Sequence, residues 1–297
     1  MKLIKEIIKA EKEKKAIGHF NVSNFEMFKG ILLAAQDLSE SEEYNIPVII
    51  GLSENERKYL GEEQTVAFVQ KIRAEKNYPI FINADHCKTY ESAENAVRAG
   101  FDSIVIDNSE MSLEENMEAT KRTVSILKSL NSEIITEGEM GFIGSSSKLL
   151  DKIPEGAMVG EDAITKVEDA KKFVEETAVD LLSPAVGNLH GVLKNFLNPS
   201  LHVHRIQEIS EVVDTPLVLH GGSGVAREDI RESINAGISM VHFSTDLRIA
   251  YRRGLMNLGE NYFTNHPNEV APYKYMQIVV NEVRELVLQK IALMQEL

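Results

Sequence analysis

Short apolar runs alternate with longer stretches of helical periodicity along the chain. Residues 16–22, 47–52, 79–84, 103–106, 133–136, 180–186, 216–219 and 238–243 are short and rich in β-compatible apolar side chains, and they end at polar or glycine-rich punctuation. That pattern predicts buried strands. Residues 24–39, 54–76, 90–99, 113–130, 163–176, 200–213 and 225–236 carry apolar residues at three- and four-residue spacing, as does the chain from Thr245 onward. They predict helices. Strand–helix alternation eight times over implies parallel strands joined by right-handed crossovers. With additional helices at 1–15 and 273–297, it predicts an α/β fold: a single (β/α)₈ TIM barrel spanning residues 1–297. A doubly wound open sheet uses the same alternation and is the competing architecture. No internal sequence repeat and no linker divides the chain. Residues 141–161 are the least regular stretch, with a Ser145-Ser-Ser147 run and few periodic apolar positions.

Bulk composition narrows the function classes. A hydrophobic content of 43% in 297 residues is enough for a large core. The net charge of −14 argues against nucleic acid, because binding a phosphate backbone needs a basic face. It does not argue against a small anionic substrate, which local donors can hold. The single cysteine, Cys87, cannot form an internal disulfide and fits a reducing compartment. Residues 1–15 alternate Lys and Glu with Ile at helical spacing, which predicts an amphipathic surface helix. They lack the continuous apolar core of a signal peptide, and no run reaches membrane-spanning length. The expectation is a cytoplasmic protein without membrane partners.

Chemistry gathers at the predicted strand ends. The stretch Pro216-Leu-Val-Leu-His220-Gly-Gly-Ser-Gly224 ends a buried strand on a histidine and opens into a glycine-rich turn. Such a histidine can hold a metal, and the free N–H groups of such a turn can hold a phosphate. Other strands end on Asp85 and His86, on Asp107 and near Glu139; His190 follows a further strand. In a barrel these positions share the C-terminal mouth. Three imidazoles with an open fourth position form the pattern of a catalytic zinc site. His202 and His204 lie two apart near a helix start and predict exposed side chains, while His19 and His266 have no partner motif. An amidohydrolase would place a His-x-His pair on its first strand, whereas this pair lies far along the chain.

The runs Asn83-Ala-Asp85-His86, Val105-Ile-Asp107-Asn-Ser109, Glu137-Gly-Glu139-Met-Gly141, Gly187-Asn-Leu-His190-Gly191 and Leu217-Val-Leu-His220-Gly-Gly-Ser-Gly224 resemble the class II, metal-dependent ketose-bisphosphate aldolases. That family includes the fructose and tagatose 1,6-bisphosphate enzymes. The resemblance runs from about Gly18 to Arg248. It implies that His86, His190 and His220 ligate a catalytic zinc, that Asp85 carries the proton, and that Asp107 and Glu139 hold a second cation, divalent or monovalent, in some members. It further implies that Gly191, Gly221, Gly222 and Ser223 wrap the dihydroxyacetone-phosphate end, with Ser244 and Thr245 on the opposite rim and Lys194 reaching the same phosphate. The implied substrate is a small sugar phosphate, fructose 1,6-bisphosphate by default, and the implied assembly a homodimer or homotetramer.

Several positions depart from the family pattern. His242 stands where the family usually has an Asn that contacts substrate. It can hydrogen-bond the substrate, compete for metal, or fill the same volume. The family's Gly-Gly-x-Glu-Asp loop corresponds to residues 143–148, which carry no acid before Asp151 and Glu155. Cys87 replaces a common glycine and is expected to pack rather than ligate. A second reading follows from His242 and the missing glutamate: a metal- and sugar-phosphate-binding relative without aldol activity.

Overall fold

The computed structural model describes residues 2–42, 44–144 and 148–297, apart from the side chains of Glu260 and Asn261. Eight parallel strands close into a barrel in sequence order. They are β1 (Ile17–Asn21), β2 (Val48–Ser53), β3 (Ile80–Cys87), β4 (Ser103–Ile106), β5 (Ile135–Met140), β6 (Leu181–Pro184), β7 (Leu217–Leu219) and β8 (Ile238–Phe243). The ring closes where β8 pairs with β1, in the register His19 opposite His242. This excludes the open-sheet alternative.

Residues along a strand alternate faces, and the inward stripe changes character along its length. It runs Ile17, His19, Asn21 on β1; Phe81, Asn83, Asp85 on β3; Ile135, Glu137, Glu139 on β5; and Met240, His242 on β8. The first member of each set is apolar, and the later ones are polar or ionisable. The apolar members join Ile49, Leu181 and Val218 in a cluster completed by Leu3, Ile7 and Ala10 of α1 (Leu3–Lys12). The amphipathic N-terminal helix therefore buries its apolar stripe against the lower end of the barrel and gives it a dry floor. Outside, the C-terminal helix Gln277–Gln295 buries Val279, Val280, Val283, Val287, Ile291 and Met294, packing mainly on α2 (Phe25–Ser41) and the helix Thr245–Asn265.

The predicted boundaries shift in informative places. β3 continues past residue 84 through Cys87, because a bulge between Ala84 and Cys87 lets the strand absorb one extra residue and still pair with β4. β5 starts at residue 135 and runs to 140, so Glu137 and Glu139 stand within the strand rather than beyond it. The helical segments predicted over 54–76 are α3 (Glu54–Leu60) and α4 (Glu62–Lys76), separated at Gly61. In the irregular region, Leu149–Leu150 pairs in parallel with Val192–Leu193, tying the loop after β5 to the one after β6. The Ser145-Ser-Ser147 run lies outside the described residues.

Candidate active site

At the barrel mouth the three histidines expected to share a metal do meet. One ring nitrogen from each of His86, His190 and His220 lies within 4.8 Å of the others. His86 and His190 are edge-on at 4.8 Å between ring centres, and His86 and His220 at 5.1 Å. A hydrogen-bond partner on the far side of each ring fixes its tautomer and orientation. His190 donates from Nδ1 to the Gly144 carbonyl at 2.7 Å, leaving Nε2 as the lone-pair nitrogen. His220 places Nε2 2.6 Å from Glu137 Oε1. Its buried Nδ1 has no hydrogen-bond partner. Two nitrogens whose far sides are already committed, one of them orphaned and buried, form a donor set that fits a divalent ion.

Carboxylates crowd the same point. His86 Nδ1 lies 3.0 Å from Asp107 Oδ2 and 3.2 Å from Glu139 Oε2, and these three side chains form a second candidate cation group. Burial pushes the His220 imidazole down, but Glu137 and Glu139 outweigh it and hold the ring at about 10. His86 is likewise raised, with Asp85 and Glu139 overcoming burial. For Asp85, burial works upward but His86, His242 and His19 together hold the carboxyl well below the usual range. The site is thus a compensated cluster in which imidazolium protons balance carboxylate charge. A cation bound there displaces those protons, so its affinity falls with decreasing pH. Asn21 donates to Asp85 Oδ2 at 2.9 Å and orients it.

Beneath the mouth stands a column that residue order did not reveal. His242 stacks on His19 at 3.5 Å with planes 5° apart, and on His220 at 4.1 Å on its other face. Asn83, which donates to Ser103 Oγ at 2.8 Å, presents its Oδ1 to His19 Nε2 at 3.0 Å. Burial pushes the His19 imidazole down to about 4, so the column is neutral at its base. His19, which has no partner motif in the sequence, is therefore a member of the site. The period-two signal Ile17, His19, Asn21 marks it as inward-facing, and Gly51 on the neighbouring strand makes room for it. A Cβ at residue 51 would lie 2.0 Å from His19 Cε1. Both nitrogens of His242 are buried without a hydrogen-bond partner, and Nδ1 lies 3.5 Å from Asp85 Oδ1.

A small chamber opens beside the histidines, lined by Gly191, Gly221, Ser223, His242, Ser244 and Thr245 among others. The hydroxyls of Ser244 and Thr245 are buried there and have no partner. Ser223 Oγ accepts from the Ser244 and Asp246 amides at the N-terminus of the helix Thr245–Asn265. Asn198 donates to the carbonyls of Gly191 and Ser223, locking the two turns together. Gly221 has φ +63, and a Cβ there would lie 2.4 Å from the Leu189 carbonyl oxygen. Gly221→Ala is expected to lower unfolding free energy by at least about 1–2 kcal/mol, measurable by urea denaturation.

Two expected anion contacts stand elsewhere. The Gly222 amide is already spent on the His242 carbonyl at 3.0 Å. Lys194 pairs with Asp151 at 2.8 Å on the surface. The wider cavity above the histidines, about 680 Å³, is lined by Asp85, His86, Asp107 and His190 together with Lys88, Lys148 and Arg248. Of the other histidines, His204 is exposed as expected, whereas His202 is only partly so and sits 3.2 Å from the Val159 carbonyl. Cys87 is buried and faces Arg57, a packing position as expected.

Comparison with known proteins agrees with this geometry. The family model for fructose-bisphosphate aldolase class II matches residues 2–296. The chain is 37% identical over 270 residues to "Fructose-bisphosphate aldolase" of Helicobacter pylori strain J99, covering 82% of this chain and 83% of that one. It is 32% identical over 260 residues to "Sulfofructosephosphate aldolase" of Alkalicoccus urumqiensis, covering 88% and 84%. The crystal structure of the YdjI aldolase from Escherichia coli K12 superposes with a TM-score of 0.80 at 27% identity, over 98% of this chain and 96% of that one. The barrel, the histidine cluster at its mouth and the matches across the chain's length lead to one conclusion: the protein belongs to the class II fructose-bisphosphate aldolase family, metal-dependent lyases acting on sugar phosphates.

Proposed function

We propose that this aldolase reversibly cleaves a ketose 1,6-bisphosphate, fructose 1,6-bisphosphate first among them, to dihydroxyacetone phosphate and glyceraldehyde 3-phosphate. The observation that carries the reading is three imidazole donors within 4.8 Å of one another, beside the buried Asp85 and next to a chamber of unpartnered hydroxyls. His86, His190 and His220 would hold the ion, and an all-nitrogen donor set with an open position favours zinc. When bound, it supplies Lewis-acid polarisation of the ketose carbonyl. Asp85 takes the C4 hydroxyl proton as the C3–C4 bond breaks and its electron pair passes into the enediolate of the three-carbon fragment, then delivers a proton to C3 to complete dihydroxyacetone phosphate; condensation reverses both transfers. Asn21, shared between Asp85 and Glu56, keeps that carboxylate aimed. His242, with an unpartnered nitrogen facing Asp85, contributes a hydrogen bond to the substrate from the chamber wall.

The C1 phosphate is held by the Gly191 and Gly221 turns, Ser223, and the hydroxyls of Ser244 and Thr245. Lys194 joins only by releasing Asp151, and Gly222 shapes the turn without donating. Asp107 and Glu139 hold a second cation against His86. Nothing in this arrangement needs a Schiff-base lysine. Among the described residues no helix is long and apolar enough to cross a membrane, and the reading extends to a cytoplasmic homodimer or homotetramer. Exposed Met256, Val270 and Tyr273 supply apolar surface for self-association.

The test is release of triose phosphate from fructose 1,6-bisphosphate, tagatose 1,6-bisphosphate and ketose 1-phosphates, before and after chelation. EDTA is expected to lower turnover by at least about 10²-fold, since the ion is worth several kcal/mol of transition-state stabilisation, and added zinc to restore it. Turnover indifferent to the chelator would discard the metal role. Zinc bound without turnover on any of these ketoses would leave the proposed substrate class without support.

A further inference from the structure

Arg57 lies on α3 just beyond β2 and is 1% exposed. Its guanidinium is fully engaged. Nη1 donates to the carbonyls of Leu52 at 2.8 Å and Asp85 at 3.1 Å. Nη2 donates to Ser92 Oγ at 2.8 Å and Cys87 Sγ at 3.4 Å, and Nε to Glu62 Oε1 at 2.9 Å. One planar group thus grips the residue before His86 and the residue after it. Between them His86 has φ +51, the left-handed region that residues with a Cβ enter uncommonly, histidine less rarely than most. Such a conformation persists only when its surroundings over-determine it.

Strand pairing supplies that constraint on one side only, where Asp85 stays opposite Ser53 of β2. The register with β4 goes from Ala84 opposite Ile104 to Cys87 opposite Ile106, so the bulge takes Asp85 and His86 out of regular pairing on that side. The Asp85 carbonyl finds its partner in Arg57 instead. Glu62 and the N-terminal turn of the helix Tyr90–Ala99 hold the guanidinium in turn, through Ser92. A lysine cannot reproduce this, because it lacks the rigid planar fork of donors.

We propose that Arg57 is a positioning residue for His86: it pins both neighbours of that histidine, holds the left-handed turn that aims the imidazole into the mouth, and thereby sets the affinity for the divalent ion. The inference rests on the metal-holding role proposed for His86. It concerns ion affinity rather than substrate choice, so it can fail while the aldolase reading stands.

The experiment measures zinc dissociation constants by competition with a chromophoric chelator, alongside melting temperatures, for wild type, Arg57→Met and Arg57→Lys. Arg57→Met is expected to weaken zinc binding about 10–100-fold, the range seen when outer-shell partners of metal ligands are removed. Arg57→Lys is expected to weaken it by at least about threefold. Val287→Ala, a core truncation in the C-terminal helix remote from the mouth, is expected to lose melting temperature and keep wild-type zinc affinity. Folded Arg57 variants that bind zinc within about twofold of wild type overturn the proposal. So does an equal loss of affinity in Val287→Ala, which would assign the effect to general destabilisation. If neither arginine variant folds, Glu62→Ala decides. It removes an outer anchor of the guanidinium, and a zinc affinity lowered by at least about threefold supports the proposal, whereas an unchanged one overturns it. A wild-type protein that binds no zinc sinks this inference together with the metal site.

Discussion

Alanine at His220 is expected to lower aldol cleavage by at least about 10³-fold and to empty most of the zinc from the purified protein. Removing the ligand forfeits most of the ion's contribution, several kcal/mol, and each 1.36 kcal/mol is about tenfold in rate. The geometry adds a second cost. His220 is completely buried and sits 2.6 Å from Glu137, with Glu139 at 3.5 Å on its other nitrogen. Deleting the imidazole strands two buried carboxylates, and breaking a buried pair by removing one partner costs about 3–5 kcal/mol. The same variant should therefore also unfold at markedly lower urea concentration. Metal analysis, a coupled triose-phosphate assay and a denaturation curve on one preparation check all three effects. A variant that kept its zinc and turned over within about tenfold of wild type would remove His220 from the ligand set.

Asp85→Ala should separate chemistry from metal holding. Asp85 is 4% exposed, receives Asn21 at 2.9 Å, and is held ionised by the surrounding imidazoles against the upward push of burial. It therefore sits in its proton-accepting form at neutral pH. A positioned general base contributes about 10²–10⁴ in rate, and cleavage by Asp85→Ala should fall by that factor while zinc content stays near wild type. The two variants thus differ in kind: one loses ion and activity together, the other activity alone. Cleavage by Asp85→Ala within about tenfold of wild type would assign the proton to another group.

The architecture is legible because most strands open as short apolar runs, the signature of parallel strands covered on both faces, and helical periodicity separates them. The mouth was legible because this fold delivers strand ends to one place, so Asp85, His86, Asp107, Glu139, His190 and His220 could be brought together from their order alone. What stayed hidden depends on lateral neighbours. His19 is a mid-strand residue whose meaning comes from His242 opposite it in the β1–β8 register and from the space left at Gly51. Arg57 carries no motif signal in the sequence, and its five hydrogen bonds reach four different segments. The family resemblance implies a phosphate contact for Lys194, yet Asp151, brought near by the pairing of 149–150 with 192–193, competes for it. Linear spacing does not report such competition.

The apolar plug formed by Leu3, Ile7 and Ala10 with the first inward row of the strands has a consequence for traffic. It makes the barrel a vessel with a single opening. With the C1 phosphate seated as proposed, in the chamber beside Gly221 and Thr245, both fragments of a split substrate leave by the passage through which the whole sugar arrived.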